Sequence, residues 1–217
     1  MEKIIALLSG GIDSSTLVYY LAQNYEVWAL TIFYGQKHAK ELIAASDIAR
    51  LVCKKHEIIN LSEIQPLLKS ALTTESLEIP KGYYSDESMK ITVVPCRNLL
   101  FLTCAAAWAM SNSISKIAFA AHFGDHPIYP DCRLSFVQKT EEILREYESN
   151  IQILVPFINL TKREIINIGT KLGVPWEKTW SCYKGSEKAC GKCGTCRERL
   201  EAFELNNLKD LIQYEAY

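Results

Sequence analysis

Ile4-Ile5-Ala6-Leu7-Leu8-Ser9-Gly10-Gly11-Ile12-Asp13-Ser14-Ser15 is the stretch from which the fold is read. Residues 4–8 are wholly apolar, the pattern of a strand buried on both faces of a parallel sheet. A helix is expected over 14–23. Between them lies a loop of small residues. Its two glycines let backbone approach an anion without Cβ clashes. The helix start downstream aims free N–H groups and a partial positive charge at the same point. Ser9, Ser14 and Ser15 add hydroxyl donors. Asp13 would repel a phosphate directly, so it makes sense as a Mg²⁺ ligand or as a helix cap. The loop has neither the Gly-Lys-Ser/Thr of a P-loop nor the G-x-G-x-x-G of a dinucleotide site. The plainer alternative is an ordinary strand-to-helix turn.

Working outward, strand-like and helix-like segments alternate, which predicts an α/β fold with a doubly wound, mostly parallel sheet. Strands are expected over 26–34, 56–61, 116–121 and 151–157. Helices are expected over 41–53, 99–111 and 136–148. Residues 62–92 read as a long loop with helical pieces. Thr161-Lys162-Arg163-Glu164 has the form of a capping box, and its helix should stop at Gly173, with Pro175 just beyond. After Pro175, cysteine, glycine and lysine dominate 182–196, and a last helix is expected over 195–205. We therefore divide the chain into a nucleotide-type domain, 1–173, and a small C-terminal subdomain, 174–217.

The chain has 217 residues, which at roughly 150 per domain fits one domain with a small appendage. Its 48% hydrophobic and 23% charged content is ordinary for a globular protein. The net charge of −1 supplies no global basic field for a long nucleic acid, so direct nucleic-acid binding is not expected. The longest apolar run, 99–110, falls short of the roughly 18 residues of a membrane span. The N-terminus lacks the pattern of an export signal. A cytoplasmic location follows as the expectation, and the eight cysteines then read as thiols or metal ligands.

Cys182, Cys190, Cys193 and Cys196 are spaced C-x7-C-x2-C-x2-C. Four thiolates satisfy tetrahedral Zn²⁺. Gly191 and Gly194 permit tight turns, and Lys184, Lys188, Lys192 and Arg197 offset the anionic sulfurs. An iron–sulfur cluster is the alternative that four cysteines also allow. With no open coordination position, one such zinc per chain would be structural, ordering a tail too small for its own core. Cys53 and Cys104 read as small core residues. Cys96, beside Arg97, is either an activated thiol or a residue without a chemical role.

Three further segments gather polar groups at expected strand ends, where open α/β sheets bind ligands. In Val94-Pro95-Cys96-Arg97-Asn98, Arg97 is an anion clamp, and Asn98 is either a helix N-cap or a ligand contact. Residues 121–133 contain His122, Asp125, His126, Tyr129, Asp131 and Arg133. They could bind a metal, read a purine-like ring, or form a solvated turn. Tyr34-Gly35-Gln36-Lys37-His38 is the third.

The loop resembles the SGGxDS loop of the ATP pyrophosphatases, the PP-loop enzymes of adenine nucleotide alpha hydrolase-like fold. Leu7–Thr16 of the loop, YGQKH, TVVPCRN, HFGDHPIYPDCR, LGVPWEKTWSCY and CGKCGTCRERLEAF together resemble the 7-cyano-7-deazaguanine synthase family of queuosine-precursor synthesis. Where that family usually has Asn, this chain has Cys96. The resemblance implies ATP-dependent ligase chemistry on 7-carboxy-7-deazaguanine, with ammonium as nitrogen donor and an amide on the way to the nitrile. It implies Mg²⁺ with ATP, a structural zinc and a homodimer. It assigns ATP contacts to Leu8, Ser9, Gly10, Gly11, Ile12, Asp13, Ser14, Ser15, Thr16, Leu17 and Val18. It points to substrate contacts at Arg97, Asn98, His122, Asp125, Tyr129, Asp131 and Arg133. Asp13 would act in catalysis, and Lys162 and Arg163 are the candidate cations for the departing pyrophosphate. His122, His126 and Asp125 stand equal as candidate general bases.

Overall fold

The computed structural model describes residues 1–37, 40–80, 87–184 and 187–215. Five parallel strands form one sheet in the order β3-β2-β1-β4-β5. They are β1 (Glu2–Leu7), β2 (Tyr25–Phe33), β3 (Lys55–Asn60), β4 (Lys116–Ala118) and β5 (Gln152–Leu154). The α-helices are α1 (Ile12–Leu21), α2 (Lys40–Val52), α3 (Arg97–Ser111), α4 (Leu134–Arg145), α5 (Lys162–Lys171) and α6 (Gly194–Glu204). The apolar strand read from the sequence is the sheet's centre: β1 pairs β2 from Glu2↔Tyr25 to Leu7↔Leu30, and pairs β4 on its other side. Chain order reverses between β1 and β4, so a crevice opens where the loop after β1 sits. No helix among the described residues is long and apolar enough to cross a membrane.

Two cores face the sheet. One joins Ile4, Leu8, Leu17, Val18, Ile48 and Ile165, and it also takes in Trp176, Ala202 and Phe203 from the C-terminal stretch. The other joins Ile5, Ile32, Leu102, Ile117 and Ile153. At 25 cal/mol per Å² of apolar area, burial of this kind is the main term holding the layers together. Close packing excludes a side chain at Gly10 and at Gly169. Gly10 has φ +80°, and a Cβ there would lie 2.5 Å from the Ala45 nitrogen. A Cβ on Gly169 would lie 2.4 Å from the Trp176 ring and 2.7 Å from Thr16 Oγ1.

Several element limits differ from the sequence reading. The strand expected over 116–121 stops at Ala118, and that over 151–157 runs only from Gln152 to Leu154. Phe157 instead packs against α1, with its ring 5.7 Å from Tyr20. The capping box at Thr161 and Glu164 is formed. Residues 62–67 and 87–92 are 3₁₀ turns. Asn98 is not an N-cap: Cys96, at φ 55°, caps α3, and Asn98 lies buried inside the first turn.

Candidate active site

The site begins with the end of the central strand. Leu8 N–H donates to the Leu30 carbonyl at 2.9 Å, and Thr31 Oγ1 donates to the Leu8 carbonyl at 2.7 Å. These bonds fix where the chain leaves the sheet. Ser9 N–H then donates to Ser14 Oγ at 3.1 Å, curling the loop over the first turn of α1. Gly11 stands at the N-cap and offers no side-chain acceptor to that turn. Helix amides without a cap are suited to an anion.

A cavity of about 240 Å³ lies in front of this turn, at the carboxyl ends of β1, β2 and β4. Leu8, Ser9, Gly11, Ile12, Asp13 and Ser14 line it. Gly10 supports the loop from behind, against α2. Ser15 and Thr16 are buried, and Leu17 and Val18 point into the core.

Lys162, the first residue of α5, reaches back across the chain to the loop. Its Nζ is 2.5 Å from Asp13 Oδ2 and 3.4 Å from Glu198 Oε2. His122 completes the group. Its Nδ1 accepts from Gly124 N–H at 3.1 Å, which leaves the proton of the neutral ring on Nε2. That Nε2 faces Asp125 Oδ1 at 3.5 Å and Asp13 Oδ2 at 3.8 Å. Burial raises the Asp13 carboxyl, but Lys162 and His122 outweigh it and hold it below the usual carboxylate range. Burial likewise opposes the Lys162 charge, yet Asp13, Glu198 and Asp125 keep it protonated. Burial wins at Glu198, which is raised despite Lys162. Asp13 Oδ1 is buried with no hydrogen-bond partner among the described residues. One carboxylate oxygen thus faces Lys162 while the other is unsatisfied, a donor suited to a divalent cation.

A second charged group lines the same cavity around Arg97. Burial opposes its charge, but Tyr34 and Asp131 hold the guanidinium protonated, and Arg97 Nε donates to Asn98 Oδ1 at 3.3 Å. Asp131 Oδ2 accepts from Asn98 N–H at 3.3 Å. Asn98 Nδ2 donates to Cys132 Sγ at 3.4 Å, and Cys132 lines the cavity beside Phe101. Tyr129 is buried, with its hydroxyl 2.8 Å from Thr92 Oγ1.

Of the expected site residues, Asp13, Lys162, Arg97, Asn98 and Asp125 line the cavity, and His122 is buried behind them. Tyr129 and Asp131 stand one layer back. Arg163 lies elsewhere: it is exposed and lines a separate groove with Asn167 and Asn206. Arg133 is also exposed, donating to the His126 carbonyl at 2.9 Å. His126 packs edge-on to Phe123. Lys37 donates to the Leu77 carbonyl, and Gln36 Oε1 accepts from Tyr34 N–H; His38 lies outside the described residues.

The cysteine cluster stands behind the opposite wall, which Trp180, Ser181, Tyr183, Thr195 and Glu198 line. The four sulfurs of Cys182, Cys190, Cys193 and Cys196 are buried and lie within 4.8 Å of one another. A tetrahedral zinc with bonds of about 2.3 Å would place sulfurs roughly 3.8 Å apart. Cys190 N–H donates to Cys182 Sγ, and both Lys192 and Cys193 N–H donate to Cys190 Sγ. Gly191, at φ +66°, makes the turn between them. This donor set fits a bound metal such as zinc. Among the described residues, His122, Asp125 and His126 do not converge into such a group. Cys53 is half-buried, and burial pushes its thiol up to about 12. Cys96 is exposed.

The same stretch supplies cavity residues that the sequence reading missed. Trp180 N–H donates to the Gly10 carbonyl at 2.8 Å, and Trp180, Tyr183, Thr195, Glu198 and Arg199 all line the cavity. Arg199 is 1% exposed and holds Asp210 by two bonds, at 2.6 and 2.8 Å. The available signal was the triplet Arg197-Glu198-Arg199 after a buried cysteine. A helix turns two of its three charges inward only when something charged waits there.

The family model of queuosine biosynthesis protein QueC matches residues 3–207. The chain belongs to this family. A curated relative named 7-cyano-7-deazaguanine synthase, from Caldicellulosiruptor saccharolyticus, is 49% identical over 98% of this chain and 96% of its own. Another of that name, from Archaeoglobus fulgidus, is 46% identical over 96% of this chain and 88% of its own. Two solved structures share the fold. The NMN synthetase of Francisella tularensis aligns with a TM-score of 0.53 at 14% identity, over 96% of this chain and 78% of that one. A predicted tRNA methyltransferase subunit from Methanocaldococcus jannaschii aligns with a TM-score of 0.52 at 20% identity, over 79% and 76%. The α/β fold with a doubly wound, parallel sheet expected from the sequence is thus the fold found.

Proposed function

We propose that the cleft carries out two ATP-driven activations, converting the carboxylate of 7-carboxy-7-deazaguanine to the nitrile of 7-cyano-7-deazaguanine with ammonium as nitrogen source. The family and its relatives support this carbon–nitrogen bond formation. The observation that carries the site assignment is the junction of an uncapped loop, Asp13 and Lys162 in one cavity with Arg97.

Carboxylates do not react with ammonia because oxide is a poor leaving group. In the first activation a carboxylate oxygen attacks the α-phosphorus of ATP, and pyrophosphate departs. Ammonia then attacks the acyl carbon, AMP leaves, and an amide remains. A second nucleotide activates the amide oxygen, whose loss with the nitrogen protons leaves the nitrile. Both activations need an oxygen nucleophile in line with the same phosphorus, so one loop serves twice.

The first-turn amides of α1 and the Ser9 and Ser14 hydroxyls would bind the pyrophosphate. Lys162 would offset the charge that develops as it leaves. Asp13 Oδ1 would hold Mg²⁺, which when bound neutralises phosphate charge. Arg97, held by Tyr34 and Asp131, would take the substrate carboxylate or the edge of its ring. Phe101 and Tyr183 supply flat surfaces for the heterocycle. Leu17 and Val18 serve by packing the helix, and Arg163 has no part in this reading. The cysteines would bind zinc, which orders residues 174–217 as a subdomain against the nucleotide part, 1–173. A homodimer in the cytoplasm, without nucleic acid, belongs to the same reading.

One reaction tests this. The protein is incubated with ATP, Mg²⁺, ammonium and 7-carboxy-7-deazaguanine, and acid, amide and nitrile are followed by mass spectrometry. Nitrile with ATP consumption is expected. Amide alone would replace the proposal with an amide-forming ligase, and no consumption by folded, metal-loaded protein would sink it.

A further inference from the structure

Lys162 is held by two carboxylates from opposite ends of the chain. Asp13 belongs to the phosphate loop, and Glu198 belongs to α6, which begins inside the cysteine cluster. The three side chains are only 13%, 23% and 17% exposed for Lys162, Asp13 and Glu198. Asp13 and Lys162 face conflicting demands. A cation held on Asp13 Oδ1 would draw charge away from Oδ2 and weaken its hold on Lys162. If Lys162 serves the phosphates, it must leave Asp13. An ammonium released from Asp13 needs another anion close by if it is not to swing out to solvent. Glu198 supplies the second anion.

Glu198 is also firmly seated. Its neighbour Arg199 is clamped on Asp210, on Thr179 Oγ1 at 2.9 Å and on the Trp176 carbonyl at 3.1 Å. On the other side Glu198 Oε1 lies close against Gly124, where an added Cβ would come within 3.3 Å of it.

We propose that Glu198 is a positioning residue: it keeps Lys162 turned toward the phosphate loop when a cation on Asp13 weakens the Asp13–Lys162 pair and the lysine turns to the phosphates. This rests on reading the cleft as the ATP site. Without the Glu198 charge, Lys162 has Asp13 as its main partner. That pair must then be broken whenever pyrophosphate and its cation bind. A Glu198 that merely supported the fold would act regardless of what stands at position 162.

A double-mutant cycle separates these cases. The probe is inorganic pyrophosphate with Mg²⁺, titrated by calorimetry into the full-length, metal-loaded protein. Glu198→Gln should weaken binding about 10-fold when Lys162 is present, and change it by less than about 2-fold in a Lys162→Met background. In the full reaction, Glu198→Gln should lower kcat about 10-fold, leaving the KM of the carboxylated substrate within about 2-fold. Glu198→Asp, which keeps the charge, should restore part of the loss. If Glu198→Gln melts early or loses metal, the cycle is run with Glu198→Asp, and the same sign of coupling is expected. Equal losses in both backgrounds, or no loss in either, overturn the proposal. Failure of the wild-type protein to bind pyrophosphate overturns instead the reading of the cleft as an ATP site.

Discussion

The two walls of the cleft are built on different physics. The loop wall, Ser9 to Ser14, hangs from the central strand and is backed by Ile4, Leu8, Leu17 and Val18, all 2% exposed or less. Its shape follows from backbone ladders and apolar burial. The wall opposite, from Trp180 to Arg199, has four thiols and a buried Arg199–Asp210 pair where a core would be. Its order depends on charges that cannot stay buried without partners. The lesson is that one cleft joins a wall that folding alone makes rigid to a wall whose rigidity is conditional. Lys162 and Glu198 meet where the two touch.

The sharpest way to break this comparison is to remove the metal. Cys193→Ser should abolish stoichiometric zinc binding, a contribution of roughly 10 kcal/mol or more in small structural sites. Hydrogen exchange should then show residues 182–196 losing protection while β1 and β2 keep theirs. Loss of protection in both regions would show that the walls do not differ as described. Next in size, Asp13→Ala should lower nitrile formation at least about 10³-fold with an unchanged circular dichroism spectrum. Retained turnover would take Asp13 out of the chemistry.

The loop wall's dependence on apolar packing is checked by Leu17→Ala. That change should cost about 2–5 kcal/mol in denaturant unfolding, because the side chain is fully buried in a close-packed core. A cost below 1 kcal/mol would mean that the loop is not held from behind. The smallest effect is expected at the Arg97 end. Arg97→Lys keeps the charge and loses the planar fork, so the KM of the carboxylated substrate should rise about 10-fold while that of ATP stays put. A rise in the ATP KM instead would move Arg97 to the nucleotide.

Much of this was legible in contiguous residues. The apolar run before Ser9, the capping box at Thr161 and the cysteine spacing all act within a few residues of themselves: the run is a paired strand, the box is formed, and the four sulfurs come together. Short strands were less legible. The runs 116–121 and 151–157 read as longer than they are, because the β4–β5 pairing ends at Ala118↔Leu154 while the apolar residues beyond it, Phe119 and Phe157, are still buried in the two cores. Asn98 looked like a cap because caps are local, yet its side chain is spent on Cys132 and its amide on Asp131, more than thirty residues on. Arg163 and Lys162 are neighbours of like charge, and nothing in sequence separates them. The first turn of α5 does, sending one to Asp13 and the other to solvent.

By itself, then, the sequence determined a strand buried on both faces, a turn of small residues suited to an anion, and four thiols at the spacing of a metal site. Each rests on local geometry: hydropathy, φ, and ligand spacing. Only the tertiary structure decided that Lys162 meets Asp13 across 149 residues. It alone brought Glu198 and Trp180 from the cysteine stretch to the loop. Such meetings depend on how helices stack across the sheet's switch point, and the packing of Gly169 on Thr16 and Trp176 that sets the stacking is not written at any one place in the chain.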